Sequence, residues 1–315
     1  MVGSYEIINY SLRPAKQIER KMICEAAKRL GEFALLESYR YVGFGSVFFS
    51  DFAMVHRQLN ISKLISIEKD VHKQERFDFN KPFACIELKF GESSSILPQL
   101  TWHERTILWL DYDGRLEGDC IEDVASFCAN APSGSMLILS ANAQTPSEWD
   151  DPVQQYSDSV GSSFVANGTT KADFAGWNFA KTIRRSVTSA IAKTLSDRNG
   201  ILSEYDKFTW HQILSFDYQD GAKMTTIGGV LSNKGERPHF EKCSFASLSY
   251  CRQNQEESYK IDVPSLTWRE LRYLDQQLPL AEGKELQAPG ISSKALKQYA
   301  AVYRYYPNFA ETEHQ

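Results

Sequence analysis

Between residues 39 and 143 the chain alternates, five times over, a short β-prone run with a helical pattern, and few folds accommodate that rhythm. The first run, 39–42, ends in Gly43-Phe44-Gly45 and gives way to a helical spacing of Phe48, Phe49, Phe52, Val55 and Leu59. The second, 63–67, closes on Glu68 and leads into a charged helical stretch over 71–79. A third, 84–90, turns at Gly91-Glu92 into a short helix at 95–100. The fourth, 105–110, is apolar throughout and stops at Asp111-Tyr112-Asp113-Gly114, before a helix over 120–130 and a fifth run at 134–140. Strands joined by helices must be parallel, with right-handed crossovers, and a parallel sheet is covered on both faces. The expected fold class is α/β: an open, doubly wound, mostly parallel sheet.

The flanking segments add an N-terminal helix, a closing hairpin and a tail. Pro14 begins a helix over 15–30 with apolar residues at Ile18, Met22, Ile23, Ala26, Ala27 and Leu30, and Gly31 as its C-cap. Its basic residues, Arg13, Lys16, Arg20, Lys21, Lys28 and Arg29, read as a solvated face, with phosphate contact as the second reading. After Ala143 the composition turns polar, which reads as an insertion over about 145–205 containing one strong helix at 179–195. Two β-prone runs, 208–218 and 224–231, meet across Asp220-Gly221, a hairpin signal that implies an antiparallel pair closing the sheet. From 232 the chain reads as a mainly helical extension, with a Thr267/Glu270 capping box opening one of two helices. The expected organisation is therefore a helical segment at 1–38, the sheet domain at 39–231 and an extension at 232–315. Tyr299, Tyr303, Tyr305 and Tyr306 would pack the extension onto the sheet domain or onto a second subunit, making a homodimer.

Composition narrows the function classes. A chain of 315 residues with 42% hydrophobic residues and a formal charge of -5 can bury a sizeable core and has no global field to gather polyanions. Neither a leader pattern at the start nor an apolar run long enough to span a bilayer is present, so the expectation is a soluble cytoplasmic protein without membrane attachment. The six cysteines contain no C-x-x-C pair and the six histidines no H-E-x-x-H, which fits reduced thiols and no structural zinc.

In an open parallel sheet, ligands bind beyond the carboxyl ends of the strands. Here those ends carry Gly43-Phe44-Gly45, Glu68, Gly91-Glu92, Asp111-Tyr112-Asp113 and Ser140-Ala141-Asn142. Glycine admits close backbone approach, an acid after the second strand suits ribose hydroxyls, and an acid after the third can accept from an adenine amino group: a nucleoside pocket.

In this order the motifs resemble the class I S-adenosylmethionine-dependent methyltransferases, a Rossmann-like family, over residues 39–231. The resemblance implies S-adenosylmethionine as cofactor, held by Gly43, Phe44, Gly45, Glu68 on the ribose, Gly91, Glu92 beside adenine, and Asp111. It also implies methyl transfer to an oxygen or nitrogen of an unidentified acceptor. Two features depart from the family pattern: Tyr41 stands where an acid is usual, and Val47 replaces a third glycine. The methionine amino group would then need another anion, for which Asp111 is the candidate. The fourth strand end lacks the Asn/Asp-Pro-Pro-Tyr/Phe signature of enzymes that methylate base amino groups, and Asn142 lacks the preceding aspartate of the metal-dependent O-methyltransferases. Asp111 and Asp113, two residues apart, are the catalytic candidates: one could face the cofactor while the other takes the acceptor's proton. Two other readings stand beside this one: a non-catalytic module that senses S-adenosylmethionine or another adenosine ligand, and a nucleic-acid-interacting protein that uses the basic first helix.

Overall fold

The computed structural model describes residues 13–307; residues 1–12, which include the start examined for a leader, and residues 308–315 lie outside the described part. Its frame is an eight-stranded sheet of β1 (Arg40–Gly43), β2 (Lys63–Glu68), β3 (Ile86–Phe90), β4 (Thr106–Asp111), β5 (Met136–Asn142), β6 (Phe208–Asp220), β7 (Ala222–Asn233) and β8 (Tyr259–Ile261). The strands lie in the order β3-β2-β1-β4-β5-β7-β6-β8. β7 alone among these eight runs against its neighbours, paired antiparallel with both β5 and β6. The order reverses between β1 and β4, both parallel, which sets a crevice beyond their carboxyl ends.

The central strands are apolar throughout because both sides are covered. Along β4, Ile107 and Trp109 join one core with Ile18, Met22 and Phe52, from α1 (Pro14–Lys28) and α2 (Ser50–Leu59). Leu108 and Leu110 join the other, with Val124, Phe127, Ile183 and Val187 from α5 (Gly118–Asn130) and α7 (Asn178–Asn199). The period-two alternation of side chains thus feeds two cores from one strand. The crossover after β2 carries α3 (Gln74–Asn80), and that after β3 carries α4 (Ser93–Ile96).

The segment read as an insertion contains α6 (Pro152–Val160) and the 22-residue α7, whose Phe179, Ile183, Val187 and Ile191 are fully buried in the second core. The extension contains α8 (Arg237–Lys242), gives β8 to the sheet edge, and then forms a small separate core. There Leu271 and Leu274 of α9 (Trp268–Asp275) pack with Leu296 and Tyr299 of α10 (Ser293–Val302). Tyr305 and Tyr306 pack onto the chain's own first core, Tyr305 donating to Glu25 and Tyr306 to the Pro264 carbonyl. The Thr267/Glu270 capping box is present. No helix among the described residues is long and apolar enough to cross a membrane.

α1 departs from expectation. Ala15, Lys16, Ile18, Glu19, Arg20, Met22 and Ile23 are all buried, so Lys16 and Arg20 do not belong to a solvated face. The helix has no side-chain cap of its own. Asp220, at the tip of the β6–β7 hairpin, accepts the Ala15 amide at 3.2 Å and the Lys16 amide at 2.9 Å, satisfying two of the orphan donors from 200 residues away. The hairpin therefore docks α1 against the crevice.

Candidate active site

A cavity of about 760 Å³ opens beyond the ends of β1, β2 and β4; of the strand-end residues, Phe44, Gly45, Glu68, Gly91, Glu92, Asp111, Tyr112 and Asp113 line it, whereas Gly43 and the fifth strand end, Ser140-Ala141-Asn142, do not. Gly43 ends β1 just beneath; a Cβ there would lie 2.9 Å from Tyr41 Oη and 3.1 Å from the Trp109 carbonyl oxygen. At Gly45 the exclusion is stronger, since a Cβ would sit 2.5 Å from the Phe49 ring and 2.6 Å from Ser66 Oγ. The loop is also strained: Ser46 and Phe49 hold φ of 48° and 46°, left-handed values that cost L-residues about 1–3 kcal/mol each. Burial of the Phe49 ring at the core of the molecule keeps the loop in that shape.

Glu68 ties this loop to β2. Its Oε1 accepts from the Gly45 amide at 3.0 Å and from Ser66 Oγ at 2.6 Å, while Ser66 Oγ itself accepts from the Gly45 amide at 2.9 Å. Burial pushes the Glu68 carboxyl up to about 7, against the opposing pull of hydrogen bonds from Ser66, Gly45 and Ser46. A carboxyl that is 6% exposed, borders a cavity and changes charge near neutrality is suited to hydroxyl donors.

The other wall is aromatic and acidic. The Phe44 and Tyr112 rings lie 5.3 Å apart, both on the cavity, and the Tyr112 hydroxyl donates to buried Asp123, which fixes the ring. Gly91, at φ 144°, donates its amide to the Glu68 carbonyl at 3.0 Å, and Glu92 stands on the exposed rim paired with Lys69 at 2.8 Å. Asp113 is exposed at the mouth, beside Gly114.

Beneath these lies a set of charges that the sequence reading did not assemble. Lys16 Nζ donates to Asp111 Oδ1 at 2.6 Å and to Tyr218 Oη at 3.1 Å, pairs with Glu19 at 2.7 Å, and stands 4.8 Å from the centre of the Trp109 ring. Burial works against the Lys16 ammonium, but Asp111 and Glu19 outweigh it and push its pKa well above the ordinary lysine value. Next to it, Arg20 Nε donates to Asp51 Oδ1, in a pair whose side chains are 4% and 7% exposed. Arg20, Asp51 and Asp111 all border the cavity. Tyr41 is buried among these charges, and burial drives its hydroxyl well above the ordinary tyrosine range. Asp51 was missed because it reads as an ordinary first-turn acid of α2. The available signal was on α1, where Lys16, Arg20, Ile23 and Ala27 follow i, i+4, i+7, i+11 and therefore share a side with apolar neighbours.

The sequence model of a family described as "Putative O-methyltransferase" matches residues 8–314. This chain belongs to that methyltransferase family. No curated protein matches it. Among solved structures, the methyltransferase is similar to Trm1 from Pyrococcus horikoshii, in a complex with S-adenosyl-L-methionine, at 10% identity and a TM-score of 0.47 over 72% of this chain. It spans 57% of the Trm1 chain. An rRNA methylase from Streptococcus thermophilus has 9% identity and a TM-score of 0.34, over 68% of this chain and 93% of its own. Human N-acetylserotonin methyltransferase, also with S-adenosylmethionine, has 9% identity and a TM-score of 0.34, over 69% of this chain and 56% of its own.

Proposed function

We propose that the protein binds S-adenosylmethionine in the crevice between β1 and β4 and transfers its methyl group to an oxygen of an acceptor. One observation carries the reading: the cavity at the sheet's reversal point is lined, strand by strand, by a glycine loop that no side chain can fill and by a buried carboxyl reaching that loop. The donor set fits such a guest. The lining holds Asp51, Glu68, Asp70, Glu92, Asp111, Asp113 and Asp119 against Arg20 and Lys69, a balance that favours a cationic sulfonium.

When bound, S-adenosylmethionine supplies a methyl group on positively charged sulfur, open to in-line displacement. The chain's residues align, shield and move a proton. Glu68, ionised, accepts from the ribose hydroxyls, and Phe44 and Tyr112, in contact with each other, form an apolar wall for the adenine, with Glu92 at its edge. Alignment of two partners in a water-poor crevice is the main source of rate in such a displacement. Asp113, at the mouth, takes the proton of the acceptor hydroxyl; Asp111 is committed to Lys16 and anchors the floor.

Titration calorimetry with S-adenosylmethionine and S-adenosylhomocysteine tests the site. Micromolar one-to-one binding that Glu68→Ala weakens by about 1.5–3 kcal/mol supports it. Equal affinity in that variant removes Glu68 from the ribose. Incubating the protein with an extract and methyl-labelled donor then tests for turnover, and label in an O-methyl group of the product is the expected result.

A further inference from the structure

This inference rests on the proposed binding of S-adenosylmethionine and concerns the donor's amino-acid end. The resemblance left that end without its usual acid, because Tyr41 occupies the place and points its ring into the first core. The resemblance nominates Asp111, which already holds the Lys16 ammonium at 2.6 Å, and Lys16 does not border the cavity. The cation bonded to Asp111 therefore does not face the guest. The Arg20–Asp51 pair differs: both members border the cavity, side by side, on two elements that meet beneath the glycine loop.

We propose that Arg20 and Asp51 together receive the amino-acid end of the donor, its carboxylate on the Arg20 guanidinium and its ammonium on the Asp51 carboxylate, in place of the acid that Tyr41 displaces. A zwitterion lying head-to-tail beside an ion pair sets each charge next to its opposite. Nε is one of five guanidinium donors, and a carboxylate accepts at more than one lone pair, so the Nε–Oδ1 bond can persist while each group takes a further partner. The pair is preorganised by burial on all sides but the cavity's. Asp51 also lies in the first turn of α2, whose N-cap residue Phe49 makes no side-chain cap, so the helix end adds positive potential beside Arg20. This arrangement selects for a donor with both charged groups intact. It also makes α1 part of the donor site, which explains why a helix outside the sheet domain is held so tightly by Asp220.

The test pairs residue changes with ligand truncations. Calorimetry on the full chain would compare S-adenosylmethionine, its decarboxylated form and 5′-methylthioadenosine, which lacks the amino-acid end. Arg20→Lys, which keeps the charge but loses the fork, should weaken S-adenosylmethionine about 10- to 100-fold and leave 5′-methylthioadenosine within about twofold, the scale of one charge-assisted hydrogen bond. In that variant the intact and decarboxylated donors should bind alike. Asp51→Asn, which keeps the shape, should show the same sparing of 5′-methylthioadenosine, and thermal melts in the presence of that ligand verify that both variants fold. Equal losses for all three ligands, or no loss for the intact donor, would overturn the assignment. If 5′-methylthioadenosine and the intact donor both fail to bind the unaltered protein, it is the adenosyl site itself that fails.

Discussion

Under the proposed function, Glu68 makes donor binding depend on pH in a direction that follows from its burial. Burial raises its carboxyl from an ordinary 4.5 to about 7, so the free protein holds it largely protonated below neutrality. Ribose hydroxyls donate to the ionised form, so binding must release that proton wherever it is present. With a value near 7, about one-tenth of the protein is binding-competent at pH 6 and about nine-tenths at pH 8, giving roughly a tenfold gain in affinity, or about 1.4 kcal/mol, across that interval. Calorimetry at pH 6 in buffers of different ionisation enthalpy should find nearly one proton released per donor bound, and at pH 8 close to none. Glu68→Gln should bind more weakly and lose the pH dependence. Stability runs the opposite way in the free protein: because the folded value is raised, the contribution from Glu68 is complete below about 4.5 and is lost as pH climbs through about 7. A flat affinity between pH 6 and 8, or proton uptake instead of release, would refute the reasoning.

Four further outcomes follow from the geometry. Asp220→Ala should lower stability by about 1–2 kcal/mol, read as a shift in the urea midpoint, by leaving the Ala15 and Lys16 amides without their acceptor. Lys16→Met should cost more, about 3–5 kcal/mol, since it strands the buried Glu19 carboxylate and the half-buried Asp111 carboxylate; a loss below 1 kcal/mol would show the cluster to be solvated. Gly45→Ala should weaken the donor and the fold together, because its Cβ meets a ring with no exposed side to move toward; unaltered calorimetry and melting would count against the tight loop. Asp113→Asn should keep donor affinity within about twofold and lower kcat by about 10²–10⁴, whereas undiminished turnover removes it as the proton acceptor.

The sheet and the crevice at its strand ends were legible because both rest on local patterns. Apolar runs separated by helical spacing imply a doubly covered parallel sheet, and Asp220-Gly221 sits at the hairpin turn, with Gly221 at φ 102°. Element ends were less legible: the third strand starts at Ile86 and the fifth runs on to Asn142, since both are set by pairing with neighbours and not by propensity. The glycine loop and Glu68 could be placed together because strand ends in this topology converge. What stayed hidden was long-range. That Lys16 meets Asp111, Arg20 meets Asp51, and Asp220 caps α1 depends on α1 docking across the sheet, between residues 31 to 205 positions apart. A lysine on an amphipathic helix looks the same in sequence whether it faces water or two buried acids. The composition of α7 likewise read as an appendage, although its apolar face completes the second core.

The most direct measurement is a crystal structure of the protein with S-adenosylhomocysteine. The account predicts the ribose on Glu68, the adenine against the aromatic wall of Phe44 and Tyr112, and the amino-acid end on Arg20 and Asp51. A ligand seated elsewhere, or a crevice that stays closed to it at saturating concentration, would contradict it.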